Sequence, residues 1–189
     1  MLVVVVVFVI EDYINGEKVG EVVKWSSVDG DLFTRNIILL FYHVFARLAR
    51  GDSTGLVARD DTGTERIFII KGDMGSGVHN LFNTYNCATG VSIRFGSGSS
   101  PPSRDDYRLL FELVRVSASL SYDVSNYVIT ISGSWTPNIN VSLCEVGLYI
   151  RACDRYGYAR FLLLDRSVLS PCRSVSAGET VSASYVFRF

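Results

Sequence analysis

Histidine is almost missing from this chain, with only His43 and His79 among 189 residues. Acid–base and nucleophilic catalysis need groups that converge, and here one histidine falls on a predicted helix and the other in a loop. None of the many serines sits in a nucleophile-elbow pattern. Lysine is scarce too: of 18 basic residues, only Lys18, Lys24 and Lys71 are lysines. The glycine-rich segment 72–77 (GDMGSG) lacks the lysine and hydroxyl residue that lead a phosphate loop into its helix; Val78-His79-Asn80 follow instead. Nucleotide binding is therefore not expected. There is no block of like charge, and the net charge is −1. Bulk electrostatics would draw neither nucleic acid nor an anionic membrane. No C-x-x-C pair occurs among Cys87, Cys144, Cys153 and Cys172, so structural zinc is not expected. Nothing reads as an internal repeat or a linker. The expectation is a single domain over 1–189, without cofactor and without catalysis.

What the chain does have is apolar surface to bury. Hydrophobic residues make up 48% and charged residues 20%, the balance of a folded domain long enough to form its own core. The most apolar stretch is Leu2, Val3, Val4, Val5, Val6, Val7, Phe8, Val9 and Ile10. It is not flanked like a signal peptide, and its length is about half of what a membrane-crossing helix requires. Membrane insertion is not expected. β-branched residues dominate the run and favour a strand. Left uncovered, such a strand is an aggregation hazard. Either the chain's own sheet covers it or a neighbouring subunit does. These nine residues are the predicted subunit contact, with the strand donated to a copy of the same chain.

Farther along, Asn15-Gly16 suits a tight hairpin turn, with a second strand over 18–25. Phe33, Ile37, Leu40, Val44 and Leu48 recur at helical spacing, widened by Phe41 and Phe45. One buried helix near residues 31–50 follows, capped by Asp31 or Thr34 and ended by Gly51. Residues 60–63 (DDTG) read as the turn of a second hairpin. Residues 91–95 read as a short strand, and 96–103 as a rigid turn. Period-two alternation marks Leu109, Phe111 and Leu113; then Tyr127, Ile129, Ile131 and Trp135; then Val181, Ala183, Tyr185, Phe187 and Phe189. Val141 and Leu143 share one parity, and Val146, Leu148 and Ile150 the other, so a bulge is expected at Cys144-Glu145. The fold class is mainly β: an antiparallel, jelly-roll-like β-sandwich of about nine strands with one helix.

Cys144 and Cys153 bracket one strand, which sets them about 30 Å apart at roughly 3.3 Å per residue, too far to bond to each other. Free thiols are the default for an intracellular chain. Where a disulfide forms, a hairpin turning at residues 154–157 brings Cys172 towards Cys144. Asp60-Asp61 and Asp105-Asp106 read as turn caps, with calcium as the sharper alternative.

Several stretches, in order, resemble little-characterised virion structural proteins of tailed phages and archaeal viruses of hot environments. They are Phe33-Thr34-Arg35-Asn36, Phe95-Gly96-Ser97-Gly98 with Pro101-Pro102-Ser103 and Asp106-Tyr107, Glu145-Val146-Gly147-Leu148-Tyr149, the leucine-rich 162–169, and Ala177-Gly178-Glu179. Two features depart from that pattern: the order Asp165-Arg166 after the leucine run, and the extreme N-terminal valine run. The resemblance implies a self-assembling structural subunit (filament, fibre, tail or capsid surface) located in the virion after synthesis in a host cytoplasm. Its partners would be copies of itself and other virion proteins, and it has no catalytic residues to carry over. The alternative is a secreted or cell-surface β-sandwich that binds carbohydrate through Tyr122, Tyr127, Tyr156 and Tyr158.

Overall fold

Two antiparallel sheets face each other across one apolar core. The computed structural model describes residues 5–14, 16–25, 34–37, 39–40, 56–68 and 90–188. Most of the predicted helix, with His43, lies outside these residues. So do the 72–77 loop, His79, Cys87, Phe189 and the first residues of the valine run.

Strands β1 (Val5–Ile14) and β2 (Glu17–Trp25) form the first hairpin. Ile14 pairs with Glu17, and Gly16 has φ +84°, the left-handed conformation its turn position demands. β3 (Leu56–Arg59) and β4 (Glu65–Phe68) make a second hairpin. Then come β5 (Gly90–Gly96), β6 (Glu112–Ser117), β7 (Ser119–Asp123) and β8 (Val128–Trp135). The longest hairpin, β9 (Val141–Cys153) with β10 (Ala159–Val175), precedes β11 (Thr180–Arg188). The larger sheet has the order β2-β1-β11-β8-β7, the second β10-β9-β5-β6, and β3-β4 stands as a two-stranded ribbon. The fold is mainly β, antiparallel and sandwich-like.

Alternation decides which side chains meet. Along β11, Val181, Ala183, Tyr185 and Phe187 are buried, and their neighbours are only partly so. They meet Ile93, Phe95, Val146, Leu148 and Ile150 of the second sheet, and Phe95 lies 5.8 Å from the Trp135 ring. Leu143 and Val146 both join this core despite opposite parity. The ladder breaks at the intervening Cys144, but the extra residues belong to β10: Val168 pairs with Glu145 and Arg173 with Leu143. The four residues between them loop past Cys144, and within that loop Cys172 is disulfide-bonded to Cys144 with Cα atoms 4.4 Å apart. Cys153 is also disulfide-bonded.

Three expectations need correction. Leu109, Phe111 and Leu113 are not one strand: β6 begins at Glu112, Leu109 is buried in a loop and Phe111 is 67% exposed. Of the predicted helix, residues 35–37 and 39–40 are helical, with Ile37 buried in the core and Leu39 and Leu40 packed against it. Thr34 does not spend its hydroxyl capping that helix. It donates to the Leu163 and Leu164 carbonyls at 2.7 and 3.1 Å, and Asn36 Nδ2 donates to Leu163 O at 3.2 Å. A register shift in β10 frees those carbonyls, and segment 34–36 satisfies them, covering a sheet edge. The third correction concerns the cysteines: free thiols are the default expectation, and among the described residues Cys144, Cys153 and Cys172 are all disulfide-bonded.

Candidate functional site

Asp60-x-x-Gly63-x-x-Arg66 and Asp154-x-x-Gly157-x-x-Arg160 are the same motif. In each, the glycine sits at φ +84°. Asp60 Oδ1 accepts from the backbone of Thr62 and Thr64 at 3.0 Å, and Asp154 Oδ1 from Tyr156 and Tyr158 at 2.9 and 3.0 Å. The second oxygen takes an arginine Nε: Arg66 at 3.0 Å, Arg160 at 3.1 Å. The two turns then clasp each other reciprocally. Asp61 N donates to Phe161 O at 2.9 Å, and Arg155 N to Ile67 O at 2.7 Å. Burial alone would raise both carboxyls, but these hydrogen bonds outweigh it and hold Asp60 and Asp154 below the usual carboxylate range. Donors fill these oxygens, which makes them hairpin caps and not a calcium cage. Asp61 pairs with Arg94 and Asp106 with Arg166, both at 3.0 Å, which takes two more of the acids that calcium would use.

A second polar constellation is deeper. Glu145 is fully buried, and its carboxylate accepts four hydrogen bonds. Gly98 N and Phe111 N reach Oε1 at 3.0 and 2.8 Å, while Leu110 N and Arg166 Nε reach Oε2 at 3.2 and 2.7 Å. Arg166, 1% exposed, also donates to Ser100 O at 3.1 Å and Asp106 Oδ2 at 3.0 Å. Leu109 N donates to Tyr149 Oη at 2.7 Å, and burial raises that phenol's pKa. One acid therefore moors both ends of the 97–111 segment to the sheet. Only glycine fits where this carboxylate comes close: a Cβ on Gly98 would stand 2.5 Å from Glu145 Oε1. Sequence stretches far apart in the chain meet here, since Thr34, Gly98, Pro101, Asp106, Glu145, Tyr149 and Arg166 lie in or beside this network. Sequence reading missed it because an arginine or glutamate within a strand normally points to water. The glycine pair at 96 and 98 was its one visible sign.

The third feature is the sheet edges. The valine run is not at one: β1 pairs with β11 on one side and β2 on the other. Leu2, Val3 and Val4 lie outside the described residues, Val5, Val6, Val7 and Phe8 are placed by backbone pairing, Val9 is half-buried and Ile10 fully buried. Within the described part of the run, strands of the same chain flank β1 on both sides. Among the described residues, β7 has no such cover. It pairs with β8 alone, and all five of its residues are exposed, with Leu120 at 62% and Tyr122 at 76%. Tyr127, closing the same hairpin, is exposed and holds φ +54°, uncommon for a bulky residue. Tyr156 and Tyr158 are exposed at the β9–β10 turn, where Arg155 and Arg160 lie over their rings. Among the described residues no group of three or more acids, histidines or cysteines could hold a metal, and no helix is long and apolar enough to cross a membrane.

No protein-family model, curated protein or solved structure matches the chain.

Proposed function

We propose that this chain is a non-catalytic structural subunit of a virus particle that associates with copies of itself by strand pairing at β7. The observation that carries the reading is the contrast among its sheet edges. β2 bears Glu17, Lys18 and Glu21, with Lys18 ion-paired to Glu11 and Glu21. β10 carries a proline and two register shifts, and segment 34–36 covers part of it. β6 carries Glu112 and Arg115. These are the usual defences against unwanted pairing. β7, Ser-Leu-Ser-Tyr-Asp, has a single charge at its end, no proline, and no register shift in its ladder. Pairing with β7 of a second copy joins two five-stranded sheets into one, with Leu120 and Tyr122 meeting their counterparts. The ordered stretches that resemble virion proteins supply the setting, and other virion proteins can take the same edge.

The test is size by light scattering and electron microscopy of the full chain, beside Ser121→Pro and Tyr122→Lys. The expected result is oligomers for the wild type and monomers with unchanged circular dichroism for both variants. A wild type that stays monomeric at high concentration, or variants that assemble as it does, refutes the reading. The exposed Tyr122, Tyr127, Tyr156 and Tyr158 favour carbohydrate binding as the second reading. A glycan array with no hit removes it.

A further inference from the structure

The outer face of the second sheet, turned away from the core, holds a pocket of about 260 Å³. Ser92 of β5 and Ser117 of β6 sit directly opposite each other across the ladder, and both line it. Arg115, Arg151 and the Phe161 ring complete its wall. Among the described residues, no acidic side chain lines it.

Two of its polar atoms are buried without a partner: Ser92 Oγ and Arg151 Nε. Ser92 itself is 7% exposed. A native fold rarely leaves such groups unsatisfied, because each gives up its hydrogen bonds to water and gains none in return. The charges around the pocket are unequal. Arg94, stacked 3.7 Å from the Tyr149 ring, is neutralised by Asp61 and Glu112 at 3.0 and 2.8 Å. Arg115 stands 3.6 Å from Glu112 and 4.0 Å from Asp61, too far for a good hydrogen bond. Arg151 has no carboxylate among the described residues. Both Arg115 and Arg151 rest against Phe161, at 4.1 and 5.9 Å, which holds their planar forks at the pocket wall. Three arginines face two acids, so the cluster keeps one positive charge that nothing in it answers.

We propose that this pocket binds a tetrahedral oxyanion of the phosphate type. Two guanidinium forks and two hydroxyls from three neighbouring strands, β5, β6 and β9, supply donors from several directions, more than the two oxygens of a carboxylate would use. The unpartnered Ser92 Oγ and Arg151 Nε become satisfied when it is filled.

The experiment is calorimetric titration and thermal melting of the full chain with inorganic phosphate, beside acetate and chloride at matched ionic strength. Phosphate is expected to bind and to raise the melting temperature in proportion to the logarithm of its concentration above Kd. Arg151→Gln should weaken binding about tenfold or more, as loss of a charge-assisted hydrogen bond does, and Ser92→Ala by a smaller factor. Ser92→Ala makes no demand on folding, so it decides the matter if Arg151→Gln proves unstable. Equal shifts from chloride would mean screening alone and would overturn the proposal, as would acetate binding as tightly as phosphate. Unchanged phosphate affinity in both variants would also overturn it.

Discussion

Replacing Glu145 by Gln changes one atom type and should strongly destabilise the protein. Glutamine keeps an acceptor for Gly98 N and Phe111 N, the two donors now held at Oε1. Its amide nitrogen then faces Leu110 N–H and Arg166 Nε–H, setting donor against donor. Arg166, 1% exposed, loses the partner at 2.7 Å and keeps Asp106 at 3.0 Å. Breaking a buried ion pair from one side typically costs about 3–5 kcal/mol. A domain's whole stability is about 5–15 kcal/mol, so the loss is a large fraction of it, from about a fifth upwards. At about 2–4 °C per kcal/mol for a chain of this size, the melting temperature should fall by roughly 6–20 °C. The second arm is the pair Glu145→Leu with Arg166→Met. Removing both charges leaves no orphaned cation, so the double variant should be more stable than Glu145→Leu alone. Urea unfolding followed by tryptophan fluorescence reads both. A Glu145→Gln variant within about 1 kcal/mol of wild type would refute the reasoning, since an exposed ion pair behaves that way.

Acid should weaken the fold through the paired turns. The folded Asp60 and Asp154 titrate below their unfolded value of about 3.9, so their contribution is intact above that pH and is lost as pH falls through the folded values. The joint variant Asp60→Asn with Asp154→Asn should be less stable near neutrality and show a flatter stability profile as pH falls below about 4, measured by urea midpoints. Removing the Cys144–Cys172 bond, which closes a separation of 28 residues, should cost about 3–4 kcal/mol, read as a lower urea midpoint for Cys172→Ser. Tyr127→Asn should stabilise the monomer by up to about 1 kcal/mol, because asparagine accepts φ +54° more readily. It should also weaken self-association if that tyrosine borders the subunit contact.

What could be read from the chain followed the range of the forces involved. The Asn15-Gly16 hairpin and the 60–63 turn are local chemistry, and the structure has both. β11 announces itself by alternation, because one of its faces is wholly buried. β7 does not, since neither face is buried and a strand without a buried face has no period to detect. The 97–111 segment was misread at Leu109, Phe111 and Leu113 because its path is set by Glu145, 34 residues beyond Phe111. The twin D-x-x-G-x-x-R motifs were present to be read. Their three shared residues fall below notice until the reciprocal bonds show that they meet.

Of all the strands, the last has the most responsibility. β11 lies between β1 and β8, so until it arrives the larger sheet exists only as two unconnected hairpins. About 165 residues separate the end of β1 from the start of β11. At about 5–20 residues per second on the ribosome, the apolar β1 waits roughly 10–30 s for its second neighbour. Through that interval the valine run has only β2 beside it. The chain's greatest exposure to misassembly therefore comes during its own synthesis, and a chaperone that holds the first hairpin should raise the yield of folded subunits.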